Sequence, residues 1–276
     1  MKNLKNKVIV ITGAASGIGK ALATVFLSKG CHLALNDFNE VALQQVVAEL
    51  KYNATTGQRI ESLVFDVSDR MAMQGFADFV VEQFGQVDVV INNAGVALGR
   101  ISIAEVTYED FEWVMNINFW GMVYGTKAFL PLLRKQKEAA IVNISSVFGL
   151  AGIAYQGPYC SSKFAIRGFT ESLRMEASID FPHVTIHSVH PGGINTNIAK
   201  SARWNDESLK AQALETENKL LITPPLEIAQ TIAKRIEQKK VRIVTGHLAK
   251  LLDRLVRFLP SAYTGLIAKR IEKENS

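Results

Sequence analysis

Tyr159 and Lys163 stand four residues apart at the start of an apolar helical run, and Ser146 closes an apolar segment upstream of them. Residues at positions i and i+4 of a helix share a face, so the phenol and the ammonium are expected side by side. A fixed positive charge favours the phenolate and opposes the ordinary phenol pKa of about 10. The spacing therefore predicts a tyrosine that moves protons near neutral pH.

A glycine-rich turn near the N-terminus could hold a pyrophosphate. The segment 12–19 lies between an apolar run and a stretch of helical period. Glycines at such a turn let the backbone approach a phosphate at the positive N-terminus of the helix. The predicted contact residues are Gly13, Ser16, Gly17, Ile18 and Gly19. Together with the tyrosine and lysine, this turn indicates a nicotinamide-dependent oxidoreductase.

Asp37 directly follows the second predicted strand, about 20 residues beyond the last glycine of the turn. A carboxylate there accepts hydrogen bonds from an adenosine ribose and repels a 2′-phosphate. Neither Ser16 nor Phe38 supplies a cation for that phosphate. NAD is therefore the favoured cofactor and NADP the alternative. A second interpretation makes Asp37 a turn or helix-capping residue.

Two kinds of segment alternate along the chain and position these residues. They are short apolar runs and longer segments of helical period, such as Gly17–Ser28 and Phe164–Ala177. Runs that are almost continuously apolar are typical of buried parallel strands. With right-handed crossovers, this alternation predicts an α/β fold, a Rossmann-type doubly wound parallel sheet of about seven strands flanked by helices. The predicted strands are Val8–Thr12, His32–Asn36, Ser62–Phe65, Val87–Asn92, Ala140–Ser145, Thr185–Val189 and Val241–Thr245.

The chain has 276 residues, 48% of them hydrophobic, and no linker-like stretch divides it. We expect one dinucleotide-binding and catalytic domain over residues 1–246, with residues 247–276 as its basic, amphipathic, helical extension. The net charge of +5 comes from the C-terminal end, because residues 234–276 hold eleven Lys or Arg against four Asp or Glu. We expect this extension to pack on the domain or on a second subunit, with an acidic membrane surface as the less favoured partner.

Other classes of protein are not indicated. No groove-reading motif or stacking platform accompanies the positive charge, so nucleic acid is not an expected partner. The five histidines lack the spacing of metal ligands, so no metal site is predicted. The N-terminus has no signal-peptide pattern, and no apolar run approaches the roughly 18 residues of a membrane span. With two cysteines far apart in sequence, a cytoplasmic location is expected.

The ordered set of motifs closely resembles the short-chain dehydrogenase/reductase family, in its compact dehydrogenase branch. The motifs are the turn Thr12-Gly13-x3-Gly17-x-Gly19, the run Asn92-Asn93-Ala94-Gly95, Ser146, and Tyr159-x3-Lys163. The resemblance covers approximately residues 5–246.

The resemblance implies a catalytic tetrad of Asn118, Ser146, Tyr159 and Lys163, with Asn116 as a competitor for the asparagine position. Tyr159 would exchange a proton with the alcohol or ketone, and Ser146 would hydrogen-bond the same oxygen. Lys163 would stabilise the phenolate and reach the nicotinamide ribose. Asn118 would anchor a water that relays protons from Lys163.

The resemblance also implies further cofactor contacts, to which Tyr159 and Lys163 contribute. Thr196 would bind the nicotinamide carboxamide, and Asp66 and Val67 would contact the adenine. The remaining predicted contacts are Asn93, Ala94, Gly95, Pro191, Gly192 and Ile194.

The substrate is expected to be a hydrophobic secondary alcohol or ketone. Val147, Phe148, Leu150, Ile153 and Tyr155 follow Ser146 and would make the pocket apolar, and residues 197–223 would form a mobile amphipathic lid. Two alternatives stay open: an NADP-linked carbonyl reductase, and a nucleotide-binding module that regulates without turnover. The resemblance further implies a homodimer or homotetramer formed through helices near 108–135 and 158–181.

Overall fold

A computed structural model describes residues 1, 3–196, 198, 201–204, 210 and 221–275, with side chains to residue 272. Seven strands form its centre. They are β1 (Val8–Thr12), β2 (His32–Asp37), β3 (Ile60–Val64), β4 (Val89–Asn92), β5 (Ala139–Ile144), β6 (Val184–Gly192) and β7 (Arg242–Gly246). They form one sheet in the order β3-β2-β1-β4-β5-β6-β7, and all neighbouring pairs are parallel. The predicted doubly wound α/β fold is confirmed, and each predicted strand overlaps an observed one.

Helices connect the strands and continue beyond the last of them. They are α1 (Gly17–Ser28), α2 (Glu40–Asn53), α3 (Arg70–Phe84), α4 (Tyr108–Met115), α5 (Gly121–Leu133), α6 (Gly157–Asp180), α7 (Pro225–Glu237), α8 (Ala249–Phe258) and α9 (Ala262–Asn275). A π-helical turn, Asn116–Trp120, joins α4 to α5, and a 3₁₀ turn, Val147–Gly149, follows β5. Among the described residues, no helix is both long and apolar enough to cross a membrane.

The helices cover both faces of the sheet because their apolar stripes and the strand side chains bury each other. On one face α1, α2 and α7 form a core that contains Leu22, Phe26 and Ile232. On the other face α3, α5 and α6 pack around Phe76 and Phe129. With both faces covered, the carboxyl edge of the sheet is left open for loops that carry polar groups.

A glycine at the end of β7 permits a backbone contact that sets the exit from the sheet. Gly246 has a φ of 97°, and a Cβ atom there would lie 2.0 Å from the carbonyl oxygen of Gly192 at the end of β6. Gly85, which ends α3 with a φ of 74°, would meet nothing within 4 Å. The two glycines thus share a left-handed backbone and differ in their surroundings.

We expect Gly85→Ala to cost about 1–2 kcal/mol of unfolding free energy, because alanine tolerates the left-handed conformation poorly. Gly246→Ala should cost at least about 2 kcal/mol more, since the added methyl group also forces β6 and β7 apart. Urea unfolding of both variants measures the difference. Equal losses would contradict the close approach at Gly246.

Candidate active site

Tyr159 and Lys163 lie on the first turns of α6, at the carboxyl edge of the sheet. The Lys163 Nζ atom is 5.4 Å from the centroid of the Tyr159 ring and donates a hydrogen bond to the carbonyl oxygen of Ile144, at 3.2 Å. Tyr159 is half-buried, and Phe148 meets it edge-on with ring centroids 6.0 Å apart. Lys163 is only 3% exposed. The predicted pairing of a phenol with an ammonium on one helix face is present.

The acidity of this pair differs from the sequence prediction. Burial raises the pKa of Tyr159 to about 12, although hydrogen bonding to Ser146 opposes that rise. Burial also lowers the pKa of Lys163 to about 8. Desolvation of the phenolate therefore opposes the effect expected from the nearby ammonium group, and the role of Tyr159 in proton transfer stays a prediction. In this arrangement Tyr159 holds its proton at neutral pH.

Ser146 begins the 3₁₀ turn after β5, and its backbone is fixed by a residue that the sequence analysis missed. Its Oγ atom accepts a hydrogen bond from the Phe148 amide, at 3.1 Å. His190, fully buried on β6, contacts the Ser146 carbonyl oxygen through Nδ1, at 3.2 Å, and Ser188 Oγ through Nε2, at 2.9 Å. Burial lowers the pKa of His190 to about 4. A carbonyl can only accept, so a neutral His190 carries its proton on Nδ1 and positions Ser146.

Asn118 lies in the π-helical turn and is 1% exposed, whereas its competitor Asn116 is exposed. Its Oδ1 atom accepts a hydrogen bond from the Val96 amide, at 2.7 Å, and its Nδ2 atom donates to the Val96 carbonyl and to Ser162 Oγ, each at 3.0 Å. Ser162 in turn donates to the carbonyl oxygen of Tyr159. The Asn118 side chain thus links the loop after β4 to the first turn of α6.

The glycine-rich turn lies between β1 and α1, as predicted from its spacing. Gly13 and Gly17 have φ values of 66° and 52°, in the region that favours glycine. A Cβ atom on Gly19 would lie 2.0 Å from the Gly13 carbonyl oxygen, so only glycine lets α1 begin this close to the turn. Ser16 precedes the helix, and Ile18 lies in its first turn. The Ser16 side chain accepts no hydrogen bond from the helix, which leaves this N-terminus available to an anion.

Asp37 connects the end of β2 to the glycine-rich turn. One carboxylate oxygen accepts a hydrogen bond from the Ala15 amide, at 2.9 Å, and the other accepts from the Asn39 amide, at 3.0 Å. Asn39, not Asp37, caps α2 by accepting from the Ala42 amide. Asp37 is buried beside the turn, with its negative charge held by backbone donors.

The run after β4 is bonded to the glycine-rich turn. Asn93 Nδ2 donates to the carbonyl oxygens of Thr12 and Gly13, at 2.9 and 3.1 Å, while Thr12 Oγ1 accepts from the amides of Asn93 and Ala94. A Cβ atom on Gly95 would lie 3.2 Å from Asn118 Oδ1 and 3.3 Å from Lys163 Nζ. This run therefore joins the turn to the Tyr159 site.

Asp66 and Val67 follow β3 at the same edge of the sheet. Val67 is buried, and its side chain packs against Gly121, where a Cβ atom would lie only 2.8 Å from Val67 Cγ2. Asp66 is exposed, and its Oδ1 atom accepts hydrogen bonds from the amide and hydroxyl of Ser68. No direct hydrogen bond joins this pair to the other predicted residues within the described part of the chain.

The segment from Pro191 to Thr196 brings β6 towards the glycine-rich turn. A Cβ atom on Gly17 would lie 3.4 Å from the Thr196 side chain. Ile194 is buried and pairs with Thr223, and a Cβ atom on Gly192 would lie 2.8 Å from Val147. Thr196 therefore faces the start of α1 across a narrow gap.

Most of the predicted lid lies outside the described residues, including Leu209, Ala213 and Leu220. The described residues 201–204 dock on the loop after β4. Leu98 and Arg203 form a parallel bridge, and the Arg203 guanidinium lies 3.7 Å above the Trp113 ring. Trp204 packs so closely on Gly99 that a Cβ atom there would lie 2.4 Å from the indole.

The described residues contain no cluster of three or more His, Cys, Asp or Glu side chains placed to hold a metal ion. His187 and His190 are buried in the sheet, and burial lowers the pKa of each to about 4. Cys31 and Cys160 are free and buried. The predicted site residues at the carboxyl edge thus present hydroxyls, amides, the carboxylates of Asp37 and Asp66 and the amine of Lys163.

A doubly wound parallel sheet with these groups at its carboxyl edge is the architecture of nucleotide-binding oxidoreductases. The family model for short chain dehydrogenases matches residues 7–207, so the chain belongs to this family. The family comprises oxidoreductases that bind a nicotinamide cofactor. The recognition of the family from its motifs is confirmed.

Individual relatives agree with this assignment. A Mycobacterium tuberculosis H37Rv protein named "Putative oxidoreductase SadH" is 40% identical over 99% of this chain and 98% of its own length. A short-chain dehydrogenase/reductase from Burkholderia phymatum, solved in complex with NAD, has a TM-score of 0.81 and 30% identity, covering 88% of this chain and 90% of that one. An alcohol dehydrogenase from Thermococcus sibiricus, complexed with 5-hydroxy-NADP, has a TM-score of 0.73 and 29% identity, covering 87% and 94%.

The buried amine of Lys163 provides a test of the site's electrostatics. Because burial lowers its pKa from 10.5 to about 8, the charged form costs folding free energy at pH 7. We expect Lys163→Met to raise the unfolding free energy at pH 7 by about 2 kcal/mol. Between pH 8 and 10.5 the folded wild type holds fewer protons than the unfolded chain, so the wild type gains stability and the difference shrinks.

Urea unfolding at pH 7 and at pH 10 measures both effects. Lys127→Met, which alters an exposed lysine on α5, serves as the control and should leave stability unchanged at either pH. A Lys163→Met variant that is less stable than the wild type at pH 7 would contradict a costly buried charge.

Proposed function

We propose that this protein is an NAD-dependent oxidoreductase that interconverts a hydrophobic secondary alcohol and the corresponding ketone. One observation carries the proposal: Ser146, Tyr159 and Lys163 meet at the same sheet edge as the glycine-rich turn and Thr196. A proton-transferring group and a dinucleotide site are thus joined by the Asn93-to-Gly95 run. We further propose that residues 1–246 are its catalytic domain and that it works in the reducing cytoplasm, where free buried cysteines persist.

The residues present fit a nicotinamide dinucleotide. The uncapped N-terminus of α1 offers backbone amides to a pyrophosphate, and the left-handed glycines Gly13 and Gly17 keep side chains out of its way. Thr196 faces this turn and would hold the nicotinamide amide, while Asp66 and Val67 would contact the adenine. When bound, the cofactor supplies or accepts a hydride at its nicotinamide ring.

Tyr159 would exchange the proton with the substrate oxygen. Its high pKa keeps the phenol protonated at neutral pH, so in ketone reduction the Oη–H group donates directly to the substrate oxygen. In alcohol oxidation the same oxygen must first lose its proton, and the ammonium form of Lys163 favours that loss. Ser146 Oγ–H would donate a second hydrogen bond to the substrate oxygen, stabilising negative charge as it develops.

Lys163 and Asn118 would assist this proton transfer. Lys163 titrates near pH 8, so it is close enough to neutrality to release and regain a proton during turnover. Asn118 fixes the loop at Val96 and the first turn of α6 through its three hydrogen bonds. We propose that it also defines the position of a water that exchanges protons with Lys163.

Asp37 supports NAD over NADP. Both carboxylate oxygens are held by backbone amides beside the turn, which fixes a negative charge where a 2′-phosphate would lie. The neighbouring Phe38 is 73% exposed and carries no charge. The NADP-linked carbonyl reductase remains the alternative within the same family.

The substrate proposal rests on the apolar surroundings of Tyr159. Phe148 lies edge-on to its ring, and its chain neighbours Val147 and Leu150 are buried. Against these apolar side chains, the polar groups of a sugar or an anion would lack hydrogen-bond partners, whereas an apolar alcohol would not have this cost.

Aromatic side chains in the π-helical turn before α5, on α5 and on α6 support a homodimer or homotetramer. Trp120 and Phe164 are 44% and 40% exposed, and Trp120 stacks on Tyr124 with ring centroids 5.8 Å apart. Aromatic residues are enriched in protein interfaces, so we propose that these helices meet a second subunit.

Tyr159→Phe removes the proposed proton donor while keeping the ring that packs on Phe148. We expect turnover to fall at least about 100-fold, because no other group at the site presents an acidic proton to the substrate oxygen. The dissociation constant for NADH should stay unchanged. The control is Tyr52→Phe, which alters a tyrosine on α2 that is 90% exposed and should retain full turnover. Near-normal turnover of Tyr159→Phe would refute the assignment.

The proposed cofactor preference is tested by the double variant Asp37→Ser/Phe38→Arg. It removes the charge that repels a 2′-phosphate and adds one that binds it, so the kcat/KM ratio of NAD to NADP should fall at least about tenfold. Glu40→Ser removes an equal charge from the start of α2 and should not change that ratio. A wild-type protein that clearly prefers NADP would overturn the proposal.

A further inference from the structure

The helix α8 presents an unusual combination of exposed apolar and basic side chains. Leu251 is 62% exposed and Phe258 is 81% exposed, whereas Ala249 is the buried member of the helix. A cluster of large apolar side chains exposed on one surface indicates an interaction site. Packing of the extension on the domain, as we expected, explains only the side of α8 that carries Ala249 and leaves the exposed apolar side chains unexplained.

The sequence arranges these side chains in three sectors around the helix axis. Successive residues turn by about 100°, so Ala249, Asp253 and Val256 share the side that faces the domain. Leu251 and Phe258 lie close together on the opposite side, with Leu248, Leu255 and Leu259 extending the apolar sector. Lys250, Arg254 and Arg257 fill the sector between the apolar side and the domain. We call the apolar and basic sectors together the α8 surface.

The α8 surface keeps its positive charge. Lys250 and Arg254 make no ion pair with any described residue. The one acidic side chain of the helix, Asp253, receives two hydrogen bonds from Arg242 on β7, at 2.7 and 2.9 Å, and a third from Arg257, at 3.1 Å. Hydrogen bonding to Arg242 lowers the pKa of Asp253, so this carboxylate stays charged and paired with Arg242 on the domain side of the helix.

The helix pair is also fixed to the domain. Besides the Arg242–Asp253 pair, the Gly152 amide after the 3₁₀ turn donates to the Tyr263 hydroxyl of α9, at 3.1 Å. Ala249 is packed close to Gly192 at the end of β6. The α8 surface is therefore held near the carboxyl edge of the sheet.

We propose that the α8 surface docks on an anionic lipid surface. An interfacial helix places its apolar side chains among the acyl chains and its lysines and arginines at the level of the headgroups, which matches the two sectors. A second copy of the chain fits less well. A twofold contact through the apolar sector would bring the basic sectors of the two copies together without carboxylates to neutralise them. The docking does not depend on the proposed catalytic activity.

Sedimentation of the full-length protein with vesicles tests the proposal. We expect binding to vesicles of equimolar phosphatidylcholine and phosphatidylserine, and much weaker binding to phosphatidylcholine alone. Lys250→Gln/Arg254→Gln should weaken binding to the anionic vesicles roughly 25-fold, about fivefold for each cation. Leu251→Glu/Phe258→Glu should abolish it. Tyr52→Glu/Met71→Glu makes the same change at two side chains exposed elsewhere, by 90% and 70%, and should retain binding.

Two outcomes would overturn the proposal. The first is a folded wild-type protein that does not sediment with the anionic vesicles. The second is binding that the Leu251→Glu/Phe258→Glu variant retains in full. Light scattering on the same samples assigns the surface in the first case: a dimer that this variant loses and the Tyr52→Glu/Met71→Glu control keeps would identify a second copy as the occupant.

Discussion

The parallel arrangement of all seven strands is the constraint on which the rest of the molecule depends. Each strand must be followed by a crossover that returns to the opposite edge, so every loop that follows a strand lies along one edge of the sheet. The loops after β1, β2, β4, β5 and β6 therefore meet although they are far apart in sequence. Most of the residues that we propose to bind the nucleotide and to transfer protons come from these loops and from the helices that they start.

Hydrogen bonds between neighbouring loops then fix this edge. Asn93 holds the backbone of the glycine-rich turn, Asp37 holds Ala15, Asn118 holds Val96, and His190 holds Ser146. Each bond satisfies a buried polar group, which would otherwise cost free energy, and each also sets the position of a loop. Burial strengthens these bonds, but it also disfavours the charged form of Lys163. The site thus exchanges some stability for an amine that titrates near pH 8.

Much of this architecture could be predicted from the sequence, because strand burial and glycine spacing are local signals. The run Val8–Thr12 identified β1 exactly where it occurs, and Gly17–Ser28 matched α1. The acidity of Tyr159 could not be predicted, since it depends on burial by elements distant in sequence. His190 was missed because a histidine within an apolar strand carries no local sign of a contact 44 residues away. The outward-facing leucines of α8 gave a periodic pattern, but only the fold decides which side of the helix is covered.

We propose above that the loops at the carboxyl edge form a dinucleotide site that favours NADH. Energy transfer from the protein's tryptophans to the reduced cofactor, titrated with NADH and with NADPH, tests it most directly. We expect saturable transfer with a lower dissociation constant for NADH than for NADPH. Saturable transfer that favours NADPH would contradict the assignment of Asp37, and the absence of transfer with either cofactor would contradict the site itself.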